Sequence, residues 1–471
     1  MSGSIMSRRI LYVAHGFPPD QMAGAEVYTW AIAREVARRG HAVTVLAPAP
    51  RPGHRELALV EEFVDGVRVL RLNQNNRGLD RLRKTYRDPD VDRIFADLLG
   101  RERPDVVHVQ HTIGVSAGVL AVARDAGVPL VFTLHDYWFQ CPRGQRLTPG
   151  MHLCETIQPM RCAVCVGRKR GAYGVRWLGM AARGTAGETA GEGAIERALK
   201  FLPRAVRYAA REAWTAPILR RTEEMRELIG AADLLIAPSQ HLLERFVEWG
   251  VPREKLVFSE YGMDDAPFRA LPPREPRDPA ARPVRFGFVG TLMASKGPDL
   301  VVRAFQGLPH GAATMELFGA PSGPGAAAFE AHLRALNRHP DLAFRGRFDN
   351  RRIAEILSRL DVLIVPSRWW ENAPLTIHES VMARMPLVTS GHGGMAELAE
   401  RFGNAVLFQP DDADDLERAL RRFLDEPGIW EELRPKREVR SVADDVDFLL
   451  ARYDDLTAAR AAAGIRGPRR P

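Results

Sequence analysis

The chain reads as an α/β protein with two doubly wound parallel sheets, each covered by helices. Three observations predict this. Short apolar runs alternate with helix-period segments along nearly the whole length, the trace left by strands buried on both faces and the helices that cover them. The alternation occurs twice, on either side of a Pro- and Arg-dense stretch, residues 265–283, that reads as an interdomain linker. And 471 residues are more than one hydrophobic core organises. The expected units are a first domain at 1–264 and a second at 284–435, then a helix over 436–460 and a tail at 461–471.

Composition narrows the class. A chain with 45% hydrophobic and 27% charged residues suits an ordinary water-exposed α/β protein. No uncharged apolar run reaches the roughly 18 residues that a membrane span needs, and the start, MSGSIMSRR, lacks the apolar core of a secretion signal. A cytoplasmic location is expected. The net charge of +7 is concentrated: residues 166–230 hold thirteen Arg and Lys against seven Glu. A general nucleic-acid surface is therefore not indicated. Only six of the 66 basic residues are Lys, so a Lys in a ligand-facing loop stands out, and Lys296 is one.

In chain order, residues 9–15 (RILYVAH) form a first strand. The turn GFPPDQMAGAEVY leads into a helix to about Arg39, Gly40 ends it, and 42–46 is the next strand. This β-turn-α-β opening lets a phosphate approach closely at Gly24, where no Cβ intervenes. It lacks the glycine spacing of the nicotinamide fingerprint, which argues against an oxidoreductase. Strands at 67–72, 106–109 and 130–134 alternate with helices at 91–99 and 115–126. The last of these strands runs into HDYW and sets His135 at a strand's carboxyl end, where open sheets meet ligands. His108 and His111 lie in or near a strand and read as packed.

All four cysteines fall in the next window, 141–165: Cys141, Cys154, Cys162 and Cys165. Four thiols close in sequence, ending in a CAVC pair, suit a structural zinc. Unliganded thiols and an iron–sulfur cluster are the rival readings, and disulfides are disfavoured in a reducing compartment. Residues 167–221 form a basic insertion with a Gly-, Thr- and Glu-rich stretch at 184–193. Within it, 195–221 mixes Phe201, Leu202, Val206, Tyr208 and Trp214 with Lys200, Arg204, Arg207 and Arg211. Such a segment can lie as a basic amphipathic helix on an anionic membrane, which would make the protein peripheral there, or pack on its own protein. The strand and helix pattern resumes at 234–259 and closes the first domain.

The second domain opens with a strand at 284–289 and the turn GTLMASKGPDL, which sets Lys296 beside the sheet's carboxyl edge. Strands at 315–318 and 342–344 and a helix at 352–360 follow, and a last strand at 405–408 leads into a helix at 412–424. Between them lies DVLIVPSRWWENAPLTIHESVMARMPLVTSGHGGMAEL, residues 361–398. Two buried strands, 362–365 and 387–388, flank a helix that Asn372 can cap and whose first turn tolerates Pro374. Glu371 sits in the loop before that helix, and Glu379 follows about two turns along it. Such a pair can hardly grip one atom, but it can hold two ends of an extended ligand.

This spacing, with PSRWW before it and MARMPLVTSGHGGMAEL after it, resembles the retaining family-four glycosyltransferases of the GT-B fold. The resemblance covers nearly the whole chain apart from the Cys window and the insertion. It implies two Rossmann-like domains facing a cleft, with the acceptor mostly on the first and a nucleotide-sugar donor mostly on the second. The helix at 436–460 would cross back to the first domain. It further implies that Glu371 orients the transferring sugar, that Glu379 holds the nucleotide's ribose, and that His135 meets the sugar from across the cleft. Lys296 and the stretch Asn372, Ala373, Pro374 and Leu375 would meet the diphosphate charge. The family's donor loop carries two adjacent glycines, of which only Gly24 is matched, because Ala23 replaces the other. Its usual diphosphate Arg is Thr291 here, and Arg368 is expected to supply the missing charge. Retaining transfer in this family needs no cofactor, and the leaving phosphate takes the acceptor proton. The implied activity is hexosyl transfer to a glycan or lipid-linked acceptor in cell-surface polysaccharide synthesis. A hydrolase using Glu371 and Glu379 as a pair is disfavoured by their separation. A catalytically silent sugar-nucleotide sensor or scaffold is the rival that Thr291 and Ala23 keep open.

Overall fold

A computed structural model describes residues 7–74, 82–170, 204–272, 274, 283–322 and 325–464. Their strands form two sheets. The first has the order β3-β4-β2-β1-β5-β6-β7-β8, built from β1 Arg9–Val13, β2 Ala42–Pro48, β3 Leu59–Val64, β4 Val67–Leu72, β5 Val106–Val109, β6 Leu130–Thr133, β7 Leu234–Ala237 and β8 Leu256–Phe258. The second has the order β11-β10-β9-β12-β13-β14, built from β9 Val284–Val289, β10 Ala313–Phe318, β11 Leu342–Gly346, β12 Val362–Val365, β13 Leu387–Ser390 and β14 Ala405–Phe408. All pairings are parallel except β3 with β4. The two doubly wound sheets are as expected.

The strand order decides where a ligand can sit. In the first sheet the chain builds outward in one direction from β1 and in the other from β5, and these two strands are neighbours. The second sheet does the same from β9 and β12. At such a switch point the loops after the two strands diverge and leave a crevice at the carboxyl edge.

Buried strands keep a two-residue period, so each strand feeds two cores. In β1, Leu11 and Val13 join one apolar cluster, while Ile10 and Tyr12 join the other. Neither cluster stays within one sheet's domain. Trp369 and Trp370, from the loop after β12, sit in the first domain's core with Tyr137 and Phe246. Val365, Ile377 and Met395 share the second cluster with Tyr12, Tyr28 and Tyr261.

The last helix, Val442–Ala462, does cross back. It packs along Gly24–Arg38. Tyr453 OH lies 2.6 Å from His108 Nδ1 and 3.3 Å from Tyr12 OH. Tyr28 OH and the Gly262 amide both donate to Asp445, at 2.9 and 3.0 Å.

Several elements were not expected, and a hairpin and one helix are two of them. β3 and β4 form an antiparallel hairpin at the sheet edge. Asp65 and Gly66, at φ 48° and 83°, make its two-residue turn, and Asp-Gly is a strong signal for that geometry. The helix Ala326–Leu336 is the other. In the insertion, Arg204–Gly230 is one long helix. The Gly-rich stretch at 184–193 and the basic segment before Arg204 lie outside the described residues, as does the tail from 465 on. Among the described residues no helix is long and apolar enough to cross a membrane.

Candidate active site

The second sheet's switch point carries the loops after β9 and β12. The β9 loop ends in the turn Ala294–Lys296 and Gly297, whose φ is 70°. A Cβ on Gly297 would lie 2.2 Å from Pro366 O, so the two loops meet backbone to backbone, which only glycine allows. That contact brings Lys296 and Glu371 together as an ion pair. Ser367 Oγ donates to the same Glu371 oxygen at 2.7 Å. The Lys296 ammonium also stands 5.6 Å from the Trp369 ring centre. Thr291 is half-buried in the same turn, and its hydroxyl brings no charge.

Arg368, expected to supply the missing charge, is already paired. Its guanidinium is buried and donates to both Asp299 oxygens at 2.6 and 2.8 Å, to Ala294 O at 2.8 Å, and to Asp411. A cation shared between two carboxylates fastens the loops and has little charge to offer a diphosphate. Sequence spacing hid this because Asp299 and Asp411 lie 69 and 43 residues away.

Asn372 is not a helix cap either. The helix Leu375–Met382 begins at Pro374 without a side-chain cap. Asn372 instead reaches across the cleft. Its Nδ2 donates to Leu134 O at 3.1 Å and to Tyr261 OH at 3.3 Å, and its Oδ1 accepts from Ser239 Oγ at 2.8 Å. Ala373 is buried beside it, and Leu375 faces Gly24 of the first domain. A Cβ on Gly24 would lie 3.7 Å from Leu375 Cγ, an ordinary contact. Glu379 is half-buried, and its carboxylate has no partner among the described residues. Burial pushes its carboxyl up to about 7.

The first sheet's switch point faces these loops. His135, after β6, is neutral, held well below the usual His range by burial and then by the neighbouring histidines. Both ring nitrogens are engaged: Tyr261 OH is 2.6 Å from Nδ1 and Gln110 Oε1 is 2.9 Å from Nε2. Asn372, Tyr261, His135 and Gln110 thus form one hydrogen-bonded line from the second domain into the first. His15, after β1, donates to Glu26 Oε1 at 3.0 Å. Its ring lies 4.5 Å from that of His111, after β5. His111 Nδ1 accepts from the Ile113 amide at 3.1 Å, so its proton sits on Nε2, 3.3 Å from Asp136 Oδ1. Burial opposes charge on both members of the His15–Glu26 pair, yet their mutual hydrogen bond and attraction prevail, raising His15 and lowering Glu26. Burial lowers His111 despite Asp136.

No local motif in the sequence singles out His15, Glu26 or Asp136, and His111 reads there as packed. A polar residue just past the end of β1 and of β5 was the available signal for His15 and His111. His108, by contrast, is fully buried between Tyr453 and Thr133, as expected.

Cys141, Cys154, Cys162 and Cys165 are half-buried in a turn and the helix Pro159–Arg170. The Arg143 amide donates to Cys141 Sγ at 3.4 Å. Burial, and then the other three thiols, push Cys162 up to about 12. Among the described residues no three His, Cys, Asp or Glu side chains are placed to hold a metal ion. No metal is assigned to these thiols.

Two Rossmann-like domains with their switch points face to face across a cleft define the GT-B class of glycosyltransferases. The sequence agrees: the family described as glycosyl transferase 4-like domain matches residues 23–262, and the one described as glycosyl transferases group 1 matches residues 274–440. The chain belongs to the family-four, group 1 glycosyltransferases. It is 25% identical over 487 aligned positions to a glycogen synthase of Mycobacterium tuberculosis, covering 98% of this chain and 96% of that one. Its fold is similar to that of sucrose-phosphate synthase from Thermosynechococcus elongatus, with TM-score 0.59 at 17% identity over 97% of this chain and 98% of that one. It is also similar to that of Anabaena HepE in complex with UDP-glucose, with TM-score 0.56 at 16% identity over 97% and 100% of the two chains.

Proposed function

We propose that this glycosyltransferase moves a hexose from a nucleotide-sugar donor to a hydroxyl of a glycan or lipid-linked acceptor, with retention of anomeric configuration, in the making of a cell-surface polysaccharide. One observation carries the donor reading. Lys296 and Glu371 meet at the second sheet's switch point, and Glu379 waits unpartnered about two turns down the adjoining helix. That is the layout of a site for a sugar, a diphosphate and a ribose in a row.

In this reading Glu379 accepts hydrogen bonds from the ribose hydroxyls and Glu371 from those of the sugar. Lys296 exchanges its contact with Glu371 for the diphosphate as the donor enters. The helix start at Leu375 adds a positive end-field to that single cation. The bond from the anomeric carbon to the phosphate oxygen breaks while the acceptor oxygen bonds on the same face. The departing phosphate oxygen takes the acceptor's proton, so no cofactor and no separate base is required. The acceptor lies against the first domain, near His135. Nucleotide sugars are cytoplasmic, and the basic segment 195–221 would hold the enzyme against an anionic membrane.

A silent donor-binding scaffold is the second reading, favoured by Thr291 and by the full engagement of Arg368, which leave a single cation for the phosphates. A thermal-shift screen with nucleoside diphosphates and their sugars, repeated on Glu379→Ala, tests the donor site. Stabilisation by one nucleotide, weakened in the variant, is expected, and its absence at millimolar ligand refutes the reading. Product anomeric configuration by proton NMR decides retention, and turnover itself separates enzyme from scaffold.

A further inference from the structure

We infer that the crevice at the first sheet's switch point selects an uncharged, hydroxyl-bearing sugar as the reacting end of the acceptor, with Glu26, Gln110 and Asp136 as the groups that recognise it. This rests on the glycosyl-transfer reading above and specifies its acceptor.

The argument starts from what each group lacks. Glu26 is 4% exposed, and its Oε1 holds His15 at 3.0 Å while its Oε2 is buried with no partner. Gln110 spends its Oε1 on His135, and its Nε2 is buried without a partner. Thr112 Oγ1, two residues on, is in the same condition. Buried polar atoms are seldom left unpaired, and these three, two just after β5 and one in the first turn of the helix that follows β1, call for a ligand that both donates and accepts. Sugar hydroxyls do both.

The charge pattern excludes a phosphate at this position. Two carboxylates, Glu26 and Asp136, flank the crevice, and the side chain of Asp136 is 25% exposed. Among the described residues, the nearby positive groups that could offset them are already committed. His15 is bound to Glu26, and His111 offers its proton to Asp136. Arg71, buried against the loop that follows His15, donates to the carbonyls of Phe17 and Pro18 at 3.0 and 2.6 Å and to Glu62 at 3.1 Å. An anion placed here would meet like charge and gain no free cation, whereas a hydroxyl can donate to either carboxylate.

The test uses the full chain and the nucleotide sugar that stabilises it most. Methyl glycosides of common hexoses are compared with the matching hexose 6-phosphates as acceptors, for the wild type, Glu26→Gln and Asp136→Asn. Transfer to the methyl glycosides is expected. Each variant should raise the acceptor KM about tenfold, the loss of one hydrogen bond to a charged group, with kcat changed about threefold or less. Asp136→Asn should also narrow the preference against the phosphorylated sugars by about tenfold. Donor-induced thermal stabilisation should be unchanged in both, which separates this site from the donor site. Asp136 is partly exposed, so its variant carries the test if Glu26→Gln fails to fold. A wild-type preference for the hexose phosphates, an unmoved KM in both variants, or donor hydrolysis without transfer to either acceptor class overturns the proposal. Loss of donor stabilisation in the wild type would instead overturn the donor reading.

Discussion

Replacing Glu379 by Gln removes a charge that the ligand-free fold has no means of satisfying. Burial lifts this carboxyl from 4.5 to about 7. Holding it ionised therefore costs up to about 3 kcal/mol, an upper limit because the side chain keeps some contact with water. The folded chain binds this proton more tightly than the unfolded chain. The resulting stability is fully present below pH 4.5 and is lost as pH rises through 7. Ribose hydroxyls bind the ionised form best, so donor binding competes with the proton. At pH 6 roughly one molecule in eleven is ionised and at pH 8 roughly ten in eleven, so donor affinity should rise about tenfold across that interval. Isothermal titration with a nucleotide sugar measures this cleanly, since a free terminal phosphate would itself titrate near 6, as phosphate monoesters do at about that pH. Glu379→Gln should flatten the dependence, weaken binding at pH 8 about tenfold, and raise the ligand-free Tm at pH 8 but not at pH 4. Equal wild-type affinity at pH 6 and 8, or a slope that survives in the variant, would refute the assignment.

Two further substitutions test the loops that shape the site. Arg368→Ala leaves Asp299 buried beside an empty space and should cost about 3–5 kcal/mol in urea unfolding, with donor KM little changed in the folded fraction; a raised donor KM at full stability would put Arg368 on the phosphates after all. Gly394→Ala sets a Cβ 1.4 Å from Asn372 O, so the backbone carrying Glu371 and Asn372 must shift, and transfer should fall by about a hundredfold. Near wild-type turnover in that variant would show that the loop tolerates displacement.

What the sequence disclosed follows from range. Glu371, Lys296 and Glu379 stand in local patterns, a strand end, a glycine turn and one helix, and each lies where the pattern put it. The parallel sheets were legible for the same reason, since burial on both faces marks most of their strands individually. Asn372 was misread as a cap because its partners, Leu134 and Ser239, lie 238 and 133 residues away. Arg368 was misread because a free guanidinium and a paired one look alike until the carboxylates arrive. The cluster of His15, Glu26, His111 and Asp136 was invisible as a cluster: four ordinary residues, on the loops after β1, β5 and β6 and on the first turn of the helix Gly24–Arg38, become neighbours only through the strand order. The hairpin at Asp65 and Gly66 was legible and was overlooked, since β3 alternates half-buried with exposed residues and has no buried run to mark it.

The chain passes between the domains twice, and the two passages are fastened side by side. The Met263 amide donates to Arg440 O at 2.9 Å, and the Val442 amide donates to Met263 O at 3.0 Å. A single tether would leave the halves free to swivel. Two tethers pinned together behave as the spine of a book: the cleft can open about that line, but the pages resist sliding past each other, so the crevice loops return to the same register at every closure. The same arrangement means that no single cut separates the domains. A fragment ending near residue 264 would lose the helix Val442–Ala462 and bare Tyr12, Tyr28 and His108, whereas one that rejoins that helix through a short linker keeps these three covered.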